Sequence, residues 1–379
     1  MQKSTGKTSL QAVILPPTSE NLTQLGEAIR KDEIGGMPTE TVYGLAGNAF
    51  SPKALARIFD AKERPTFDPL IIHVAPPSGS LKHFGIPQLE ELCLVNARVL
   101  HSKQKESIHQ LIQAFWPGPL TLVLPKHEQV PDLATSGLPT VALRMPNHPV
   151  AQALIAASKT PLAAPSANRF GKISPTTAQA VYEELGDRIP WILEGGESQI
   201  GLESTILSFP SKEEVHLLRP GGIPAEKIEA LLGTLLIRHK NCSSSGPLIS
   251  PGLLESHYAP TQPFRILPKP VRELTSEDLR GIYQGLDPIS PQAQIGLILM
   301  SGDPPLEGYR LEKLIKKSVM AKTLSSDGNL QEVAHSLFST LRSLDRTDIA
   351  LILIEPCPHS EGLGYAIMDR LKRASAGKP

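Results

Sequence analysis

Apolar residues recur at helical spacing near the start of the chain. The stripe consists of Leu22, Leu25, Ala28 and Ile29. This spacing of three and four residues predicts an amphipathic helix, with Thr18 as a candidate cap before it. A second helix is predicted over residues 51–63, where Ser51 is the N-cap and Pro52 occupies the first helical position.

Seven short segments between these helices and residue 220 are apolar or alternating and are bounded by Pro or Gly, which predicts β-strands. They are PLIIHV at 69–74, LTLVLP at 120–125, TVALRM at 140–145, PLAAPS at 161–166, WILEGG at 191–196, STILSF at 204–209 and VHLLRP at 215–220. Helical patterns at 148–158 and 176–187 lie between some of them. The order predicts an α/β domain with a twisted mixed sheet and flanking helices.

The pattern changes after residue 237. Residues 238–264 are rich in Ser, Pro and Gly and lack a hydrophobic period, which predicts a linker between a first domain at 1–237 and a second at 265–379. In the second domain, the segments AQIGLILMS and DIALILIEP are typical of buried parallel strands, with a helix predicted from Leu330 to Leu344 between them. We expect a smaller Rossmann-like α/β domain.

Composition narrows the classes of protein. No apolar run approaches the length of about 18 residues that indicates a membrane span, and the N-terminus lacks the pattern of a secretory signal, so we expect a cytoplasmic protein. Lys plus Arg and Asp plus Glu both number 38, which argues against binding to nucleic acid through a global basic excess. The cysteines Cys93, Cys242 and Cys357 have no spacing that indicates a disulfide framework or a zinc site.

Two cations follow one another closely at the end of the second predicted helix. Lys62 and Arg64 could simply complement the negative end of the helix dipole. However, Pro65 and Pro69 stiffen the chain between helix and strand, so the cations are aimed in a set direction. We expect both side chains to be exposed cations directed at a polyphosphate.

Other candidate residues are weak signals when taken singly. His73 in an apolar strand is more often a core residue than a ligand, and the turn with Ser166 and Asn168 could be an ordinary polar turn. Arg144 and Arg219 stand at strand ends, where a guanidinium can bind a carboxylate or a phosphate. The segment GLESTI adds a carboxylate and hydroxyl groups at the start of another strand.

Together these segments resemble the YrdC-like family of threonylcarbamoyl-AMP synthases. The resemblance is carried, in family order, by PTETVYGLAG at 38–47, KERPTFDPLIIH at 62–73, FWPGPLTLVL at 115–124, VALRMPNHP at 141–149, PSANRFGKISPT at 165–176, ESTI at 203–206 and LRPGGI at 218–223. The segment GLGYAIMDRLKRAS at 362–375 is similar to the end of the C-terminal domain in the long form of the family.

The resemblance implies that the protein condenses L-threonine, bicarbonate or CO2, and ATP into threonylcarbamoyl-adenylate, with release of pyrophosphate. The product supplies downstream threonylcarbamoyl-transferase machinery, which modifies tRNA beside the anticodon, and a contact with tRNA itself is an implied partnership. The residues implied to carry catalysis are Lys62, Arg64, Ser166 and Asn168. Mg²⁺ is expected to arrive with ATP, without an assigned protein ligand.

Residue by residue, the resemblance implies two neighbouring sites. The ATP site comprises Lys62, Arg64, Asp68, Thr140, Ser166, Asn168, Ser174, Arg219 and Tyr258. The L-threonine site comprises Thr41, His73, Arg144, Ala164 and Ser204. Tyr258 lies in the linker, which would then act as a lid rather than as a passive tether. Asp68 replaces a frequent asparagine of the family, and Ala164 replaces a hydroxyl residue of some short-form relatives.

Two alternative functions remain open from the sequence. The family domain presents a concave, locally basic face, so a double-stranded RNA-binding module without adenylation activity is one alternative. Positive and negative side chains balance again over residues 1–250, which does not favour it. A carbamoyl-phosphate-using transferase is another, but the related proteins carry acylphosphatase-like and zinc-finger segments that this sequence lacks.

Overall fold

The structure is a computed structural model that describes residues 11–76, 84–238, 250–252, 254, 256–279, 282, 290 and 293–376. Its strands are β1 (Val13–Leu15), β2 (Gly35–Met37), β3 (Gly44–Asn48), β4 (Ile71–His73), β5 (Leu120–Pro125), β6 (Thr140–Arg144), β7 (Leu162–Ala163), β8 (Trp191–Leu193), β9 (Thr205–Ser208), β10 (His216–Arg219), β11 (Ile237–Arg238), β12 (Phe264–Ile266), β13 (Gln294–Leu299), β14 (Val319–Thr323) and β15 (Ile349–Ile354).

The helices surround these strands in chain order. They are α1 (Ser19–Arg30), α2 (Pro52–Lys62), α3 (Ile86–Glu91), α4 (Ser102–Phe115), α5 (Asp132–Thr135), α6 (Pro149–Ser158), α7 (Ala178–Leu185), α8 (Ala225–Leu232), α9 (Pro304–Ile315), α10 (Leu330–Leu344) and α11 (Gly362–Ser375). No helix within the described ranges is both long and apolar enough to cross a membrane.

The first eleven strands form one mixed sheet in the order β1-β8-β2-β3-β7-β4-β6-β5-β9-β10-β11. The sheet contains both parallel pairs, such as β4 with β6, and antiparallel pairs, such as β5 with β6. Apolar side chains from helices and strands on both sides fill its core. The predicted twisted mixed sheet with flanking helices is therefore confirmed.

The second sheet has four strands in the order β12-β15-β13-β14, and every pair in it is parallel. Parallel strands need crossover connections that cover the sheet, and α9 and α10 lie in two of these connections. α11 follows the last strand and packs against β12. The predicted small α/β domain is confirmed, and α10 spans Leu330–Leu344 as the periodicity indicated.

Local sequence accounts for the helices that lead into the site. The Thr18 side chain caps α1 by accepting a hydrogen bond from Asn21 N, and Ser51 caps α2 by accepting one from Ala54 N. Pro52 stands at the start of α2, where its missing N–H is harmless. Since α2 ends at Lys62, its capping determines where the first predicted cation lies.

The two domains pack against one another through a shared apolar cluster. It joins Val42, Ile173 and Leu202 to Phe338 of α10, with Tyr258 between them. β11 ends at Arg238 and β12 begins at Phe264, on either side of the predicted linker. Residues 239–249 of that linker, Cys242 included, lie outside the described residues, and the predicted domain boundaries stay predictions.

Candidate active site

Sheet register brings two of the predicted threonine-site residues together. β4 and β6 run parallel, with His73 opposite Arg144 at their carboxyl ends. On the other side of β6, Arg144 lies opposite Thr121 of β5. The Thr121 hydroxyl is 2.6 Å from the Ser204 hydroxyl at the start of β9. His73, Arg144 and Ser204, which are distant in sequence, therefore lie close together at one edge of the sheet.

The Arg144 side chain is buried and held by protein acceptors on two of its nitrogens. Nη1 donates to Thr41 Oγ1 at 2.8 Å, and Nε donates to Gly118 O at 3.2 Å. Nη2 lies 2.7 Å from Glu40 Oε1, but its hydrogens are not aligned with an acceptor, so the contact is an ion pair without a hydrogen bond. Arg144 is therefore fixed in place with unused donor capacity.

His73 is buried beside that guanidinium. Burial, and next the charge of Arg144, lower the pKa of the His73 imidazole to about 3, so the ring is neutral at physiological pH. His73 Nδ1 has no hydrogen-bond partner among the described residues. A neutral ring with an unpaired nitrogen can accept a hydrogen bond from a ligand.

Lys62 and Arg64 are buried rather than exposed. Their exposed fractions are 1% and 7%, so the prediction that both are exposed cations is wrong. Lys62 Nζ donates to Ser166 O and Asn168 O, each at 2.5 Å, because α2 ends directly beneath the turn that contains both residues. Lys62 therefore links the end of α2 to the turn that contains Ser166 and Asn168.

This burial changes the electrostatics of Lys62. Desolvation, and then the neighbouring Arg64, lower the pKa of the Lys62 ammonium well below its usual value, while Asp68 and Glu184 act in the opposite direction. Arg64, by contrast, reaches the cavity wall. Its Nε donates to Asp68 O at 3.1 Å and its Nη2 donates to Pro69 O at 2.8 Å.

Asp68 is turned towards this arginine. Arg64 Nη2 lies 2.9 Å from Asp68 Oδ2, and both side chains are almost fully buried. Burial raises the pKa of the Asp68 carboxyl, and Arg64, Lys62 and Arg219 counteract that rise in this order. The residue that departs from the usual family asparagine is thus a partner of Arg64 and does not line the cavity.

The turn with Ser166 and Asn168 is shaped by its own amide. Asn168 Nδ2 donates to Arg169 O at 2.7 Å and to Lys172 O at 2.9 Å, which closes the turn. Ser166 forms an isolated β-bridge with Gly44. A Cβ atom on Gly44 would lie 3.1 Å from the Ala164 Cβ, so the two segments approach too closely for most side chains there.

Ser204 and Arg219 form the opposite wall. Arg219 donates from Nε to Ser204 O and from Nη2 to Ser204 Oγ, both at 3.1 Å. Its Nη1 lies 3.4 Å from Pro251 O of the linker. Burial lowers the pKa of this guanidinium, which nevertheless stays charged because its ordinary value is so high.

The end of the linker packs over the cavity. Tyr258 is 1% exposed and adopts a left-handed backbone conformation with φ of 65°. Its ring stacks on Phe338 with centroids 5.6 Å apart, and the His257 ring lies 4.1 Å away. Ala259 N donates to Gly171 O at 2.9 Å, which attaches this segment to the first domain.

The cavity contains most of the predicted site residues. Those that line it are Thr41, Arg64, His73, Arg144, Ala164, Ser166, Ser204, Arg219 and Tyr258. Lys62, Asp68, Asn168 and Ser174 lie directly behind the wall. Thr140 lies at the other end of β6, about 13 Å from Arg144 at the usual rise per residue, and reaches only a ligand that extends beyond the cavity.

The cavity wall also contains residues that the sequence did not single out as site residues. Thr39 and His257 line it, and Glu40 meets it through Arg144. Glu203, expected only as lining, accepts a hydrogen bond from Ser174 at 2.6 Å. His257 stands next to the predicted Tyr258, so proximity in sequence was a usable signal for this residue.

Several buried polar atoms around the cavity have no hydrogen-bond partner among the described residues. They are Glu40 Oε1 and Oε2, Asp68 Oδ1 and Oδ2, His73 Nδ1, Arg144 Nη2, Asn168 Oδ1, His257 Nδ1 and Tyr258 OH. Most buried polar groups in folded proteins are paired, so such a concentration indicates a place built for a polar ligand.

Two family profiles together match most of this chain. The profile of the Sua5, YciO and YrdC family, described as telomere recombination, matches residues 27–221. The profile described as threonylcarbamoyl-AMP synthase, C-terminal domain, matches residues 223–376. Together the two profiles span nearly all of both sheets.

Individual relatives are similar along almost their whole length. A threonylcarbamoyl-AMP synthase of Bacillus subtilis is 37% identical over 369 residues, which cover 96% of this chain and 95% of the relative. One of Pyrococcus abyssi is 39% identical over 352 residues, which cover 92% of both. The crystal structure of P. abyssi Sua5 complexed with L-threonine superposes with a TM-score of 0.79 at 36% identity, covering 96% of this chain and 98% of that one. The chain belongs to the threonylcarbamoyl-AMP synthase family.

Proposed function

We propose that this protein synthesises L-threonylcarbamoyl-adenylate from L-threonine, bicarbonate or CO2, and ATP, and releases pyrophosphate. The observation that carries the proposal is the meeting of Arg144, Thr41 and His73 with the cations Arg64 and Arg219 in one cavity. The first group suits an amino acid and the second suits phosphates. Family membership and the threonine-bound relative support the same assignment.

Threonine would bind at the carboxyl ends of β4 and β6. Arg144 Nη2 is oriented by the other two nitrogens of its guanidinium and can donate to the α-carboxylate. The neutral His73 can accept from the α-amine, and Thr41 and Ser204 supply hydroxyl groups. Ala164 contributes an apolar wall, which fits the threonine methyl group.

ATP would extend from the Ser166 turn towards the linker. Arg64 and Arg219 line the cavity and can neutralise phosphate oxygens, with Lys62 adding charge from below. Asn168, Ser174 and Thr140 are the remaining predicted contacts of the nucleotide, and Asp68 would act by holding Arg64. Tyr258 would close the site from the linker as a lid.

Mg²⁺ enters the proposal as a counter-ion of the triphosphate. It would be held by phosphate oxygens of ATP and would neutralise part of their charge. Asp68 is engaged by Arg64, and Glu203 by Ser174 and Arg370.

The reaction needs positioning more than covalent help from the protein. The threonine nitrogen attacks the carbon of CO2 and loses a proton to solvent, or attacks bicarbonate with loss of water, and either route gives a carbamate. A carbamate oxygen then attacks the α-phosphorus in line with the departing pyrophosphate. Arg144 would hold the amino acid while Arg64 and Arg219 stabilise charge that develops on the phosphates. His73 stays neutral and keeps the amine oriented.

The wider setting belongs to the same proposal. The adenylate would pass to a threonylcarbamoyl-transferase that acts on tRNA beside the anticodon, and direct contact with tRNA is a further expectation. The cytoplasm is the compartment in which we place this reaction. None of the contacts described above is specific for double-stranded RNA, so that alternative serves as an outcome of the test.

The test measures pyrophosphate release from ATP with Mg²⁺, threonine and bicarbonate, and with each omitted in turn. We expect release to require threonine and bicarbonate, and Arg219→Met to abolish most of it. Arg310→Met is the control, because Arg310 is partly exposed on α9 of the C-terminal domain and does not line the cavity. Salt-dependent binding of double-stranded RNA without pyrophosphate release would contradict the proposal.

A further inference from the structure

Among the described residues of the C-terminal domain, the most deeply buried charged side chain points out of that domain. Arg370 lies on α11 and is 1% exposed. Arginine is almost never buried so completely unless it is paired, since desolvation of its charge must be offset. The partners of Arg370 should therefore reveal why α11 carries it.

Two of these partners belong to the first domain. Arg370 Nε donates to Glu203 Oε2 at 2.7 Å, and Nη2 donates to Pro220 O at 3.0 Å. Nη1 donates to Asp369 Oδ2 on α11 itself at 2.7 Å. All three nitrogens of the guanidinium are thus engaged, and its plane is fixed between α11 and the wall of the cavity.

Glu203 carries this contact into the site. It lines the cavity, and its second oxygen accepts from Ser174 Oγ at 2.6 Å. Burial alone would raise the pKa of the Glu203 carboxyl, but Arg370, then Arg219, and the hydrogen bonds from Ser174 and Arg370 hold it below its usual value. Glu203 is therefore ionised and accepts the hydrogen bond that the Ser174 hydroxyl donates.

The same arginine also meets the linker. Arg370 Cζ lies 5.2 Å from the centroid of the Tyr258 ring, in cation–π contact. One turn further along α11, Arg373 O accepts from His257 N at 3.2 Å. α11 therefore contacts His257 and Tyr258, two of the linker residues that line the cavity.

We propose that Arg370 is a positioning residue of the active site, through which the C-terminal domain fixes Glu203, the Ser174 hydroxyl and Tyr258 around the nucleotide. The inference rests on the function proposed above and deepens it. It gives the C-terminal domain a direct part in the site, although that domain contributes no side chain to the cavity lining described here.

The orientation of Ser174 specifies which part of the nucleotide it meets. Because its proton is directed at Glu203, the Ser174 oxygen can only accept a hydrogen bond from a ligand. Ribose hydroxyl and adenine amino groups donate, whereas phosphate oxygens do not. Ser174 and Glu203 therefore belong to the nucleoside end of the ATP site, and the arginines Arg64 and Arg219 belong to the phosphate end.

The experiment compares Arg370→Met with Arg342→Met. Arg342 on α10 is a matched control, because it also reaches the first domain through one carboxylate and one carbonyl, Glu184 Oε1 at 2.9 Å and Ile173 O at 2.7 Å. Arg370→Met should raise the KM for ATP about ten- to one-hundredfold and change the KM for threonine much less. Arg342→Met should change both by less than about threefold.

Two further measurements keep the test decisive. Glu203→Gln in the Arg370→Met background removes the buried unpaired charge, so this double variant should fold even if the single variant does not, and should still show the raised KM for ATP. Hydrogen exchange of residues 256–260 without ligand should accelerate in Arg370→Met and not in Arg342→Met, whether or not the protein releases pyrophosphate.

The outcomes separate this inference from the proposed function. Absence of pyrophosphate release in the unmodified protein contradicts the proposed function, and the hydrogen-exchange comparison then decides the role of Arg370. Equal effects of Arg370→Met and Arg342→Met on exchange, or equal effects of Arg370→Met on the two KM values, overturn the inference.

Discussion

Both domains bury carboxylates, but their surroundings differ. Glu355 follows β15 in the four-stranded sheet, and its two oxygens accept from Val271 N at 2.8 Å and from Met300 N at 3.1 Å. Glu40 and Asp68 in the first domain each face an arginine, yet none of their carboxylate oxygens receives an aligned hydrogen bond from a described residue. Glu355 therefore stabilises the fold of its own domain, whereas Glu40 and Asp68 hold arginines beside the cavity.

This difference distinguishes a ligand-binding site from a structural core even when the ligand is unknown. A buried polar group that lacks a partner destabilises the fold, so evolution retains it where a ligand supplies the missing contact. The C-terminal sheet satisfies its buried carboxylate with backbone amides. The cavity of the first domain leaves Arg144 Nη2 and His73 Nδ1 without partners among the described residues.

The largest effect should come from Arg64→Met. This substitution leaves Asp68 buried without its cation, which should lower the free energy of unfolding by about 3–5 kcal/mol, as measured by urea denaturation. The double variant Arg64→Met with Asp68→Leu should recover most of that stability but should not recover pyrophosphate release. Full recovery of release would show that Arg64 serves only the fold.

Arg144→Lys should act on binding more than on folding. A lysine keeps the charge, but its single nitrogen cannot reproduce the separate positions from which the guanidinium nitrogens reach Thr41, Gly118 and a ligand carboxylate. We expect the KM for threonine to rise about ten- to one-hundredfold, with a smaller change for ATP, in steady-state assays of pyrophosphate release. A larger effect on ATP would assign Arg144 to phosphate instead.

His73 should make the fold sensitive to acid. Its pKa is about 3 in the folded protein and about 6.5 in an unfolded chain, so only the unfolded state gains this proton between those values. Stability should therefore fall as the pH falls below about 6.5, by about 1.4 kcal/mol per pH unit from this residue. Above that pH the residue contributes no dependence.

Urea unfolding at pH 7 and pH 5 checks this prediction. His73→Gln should lose about 2 kcal/mol less than the unmodified protein between these two pH values. The buried His257, whose pKa is also lowered well below its usual value, supplies part of the remaining dependence. An identical pH dependence in both proteins would mean that the pKa of His73 is the same in the folded and unfolded states.

Glu355→Gln should have the smallest effect and tests the other side of the comparison. One backbone amide, of Val271 or Met300, loses its acceptor, so unfolding of the C-terminal domain should become easier by about 1–2 kcal/mol. The KM values for threonine and ATP should not change. A change in either would show that this buried carboxylate communicates with the cavity.

Local patterns allowed much of the fold to be predicted. Capping by Thr18 and Ser51 and the apolar period of residues 330–344 gave three helices, because these signals lie within a few neighbouring residues. β14 was not predicted, since its half-buried residues lack a clear alternation. Tertiary pairing with β13, rather than local propensity, makes it a strand.

Some features of the candidate site could likewise be predicted from the sequence, and others could not. Motif resemblance identified nine residues that line the cavity, but the burial of Lys62 depends on contacts with Ser166 and Asn168, more than one hundred residues away. Arg370 meets Glu203 across 167 positions of sequence. No local pattern contains such contacts, so the sequence alone could predict neither the burial of Lys62 nor a role for Arg370.

The proposed reaction joins L-threonine, the carbon of bicarbonate or CO2, and the AMP part of ATP in one adenylate. The most direct measurement supplies ¹³C-bicarbonate with threonine, ATP and Mg²⁺ and identifies the nucleotide product by mass spectrometry. We predict that the product is threonylcarbamoyl-adenylate, that it carries the label and that it forms together with pyrophosphate. At low threonine concentration, Arg144→Lys should form much less of it. An unlabelled product, or AMP and pyrophosphate formed at the same rate without threonine, would contradict it.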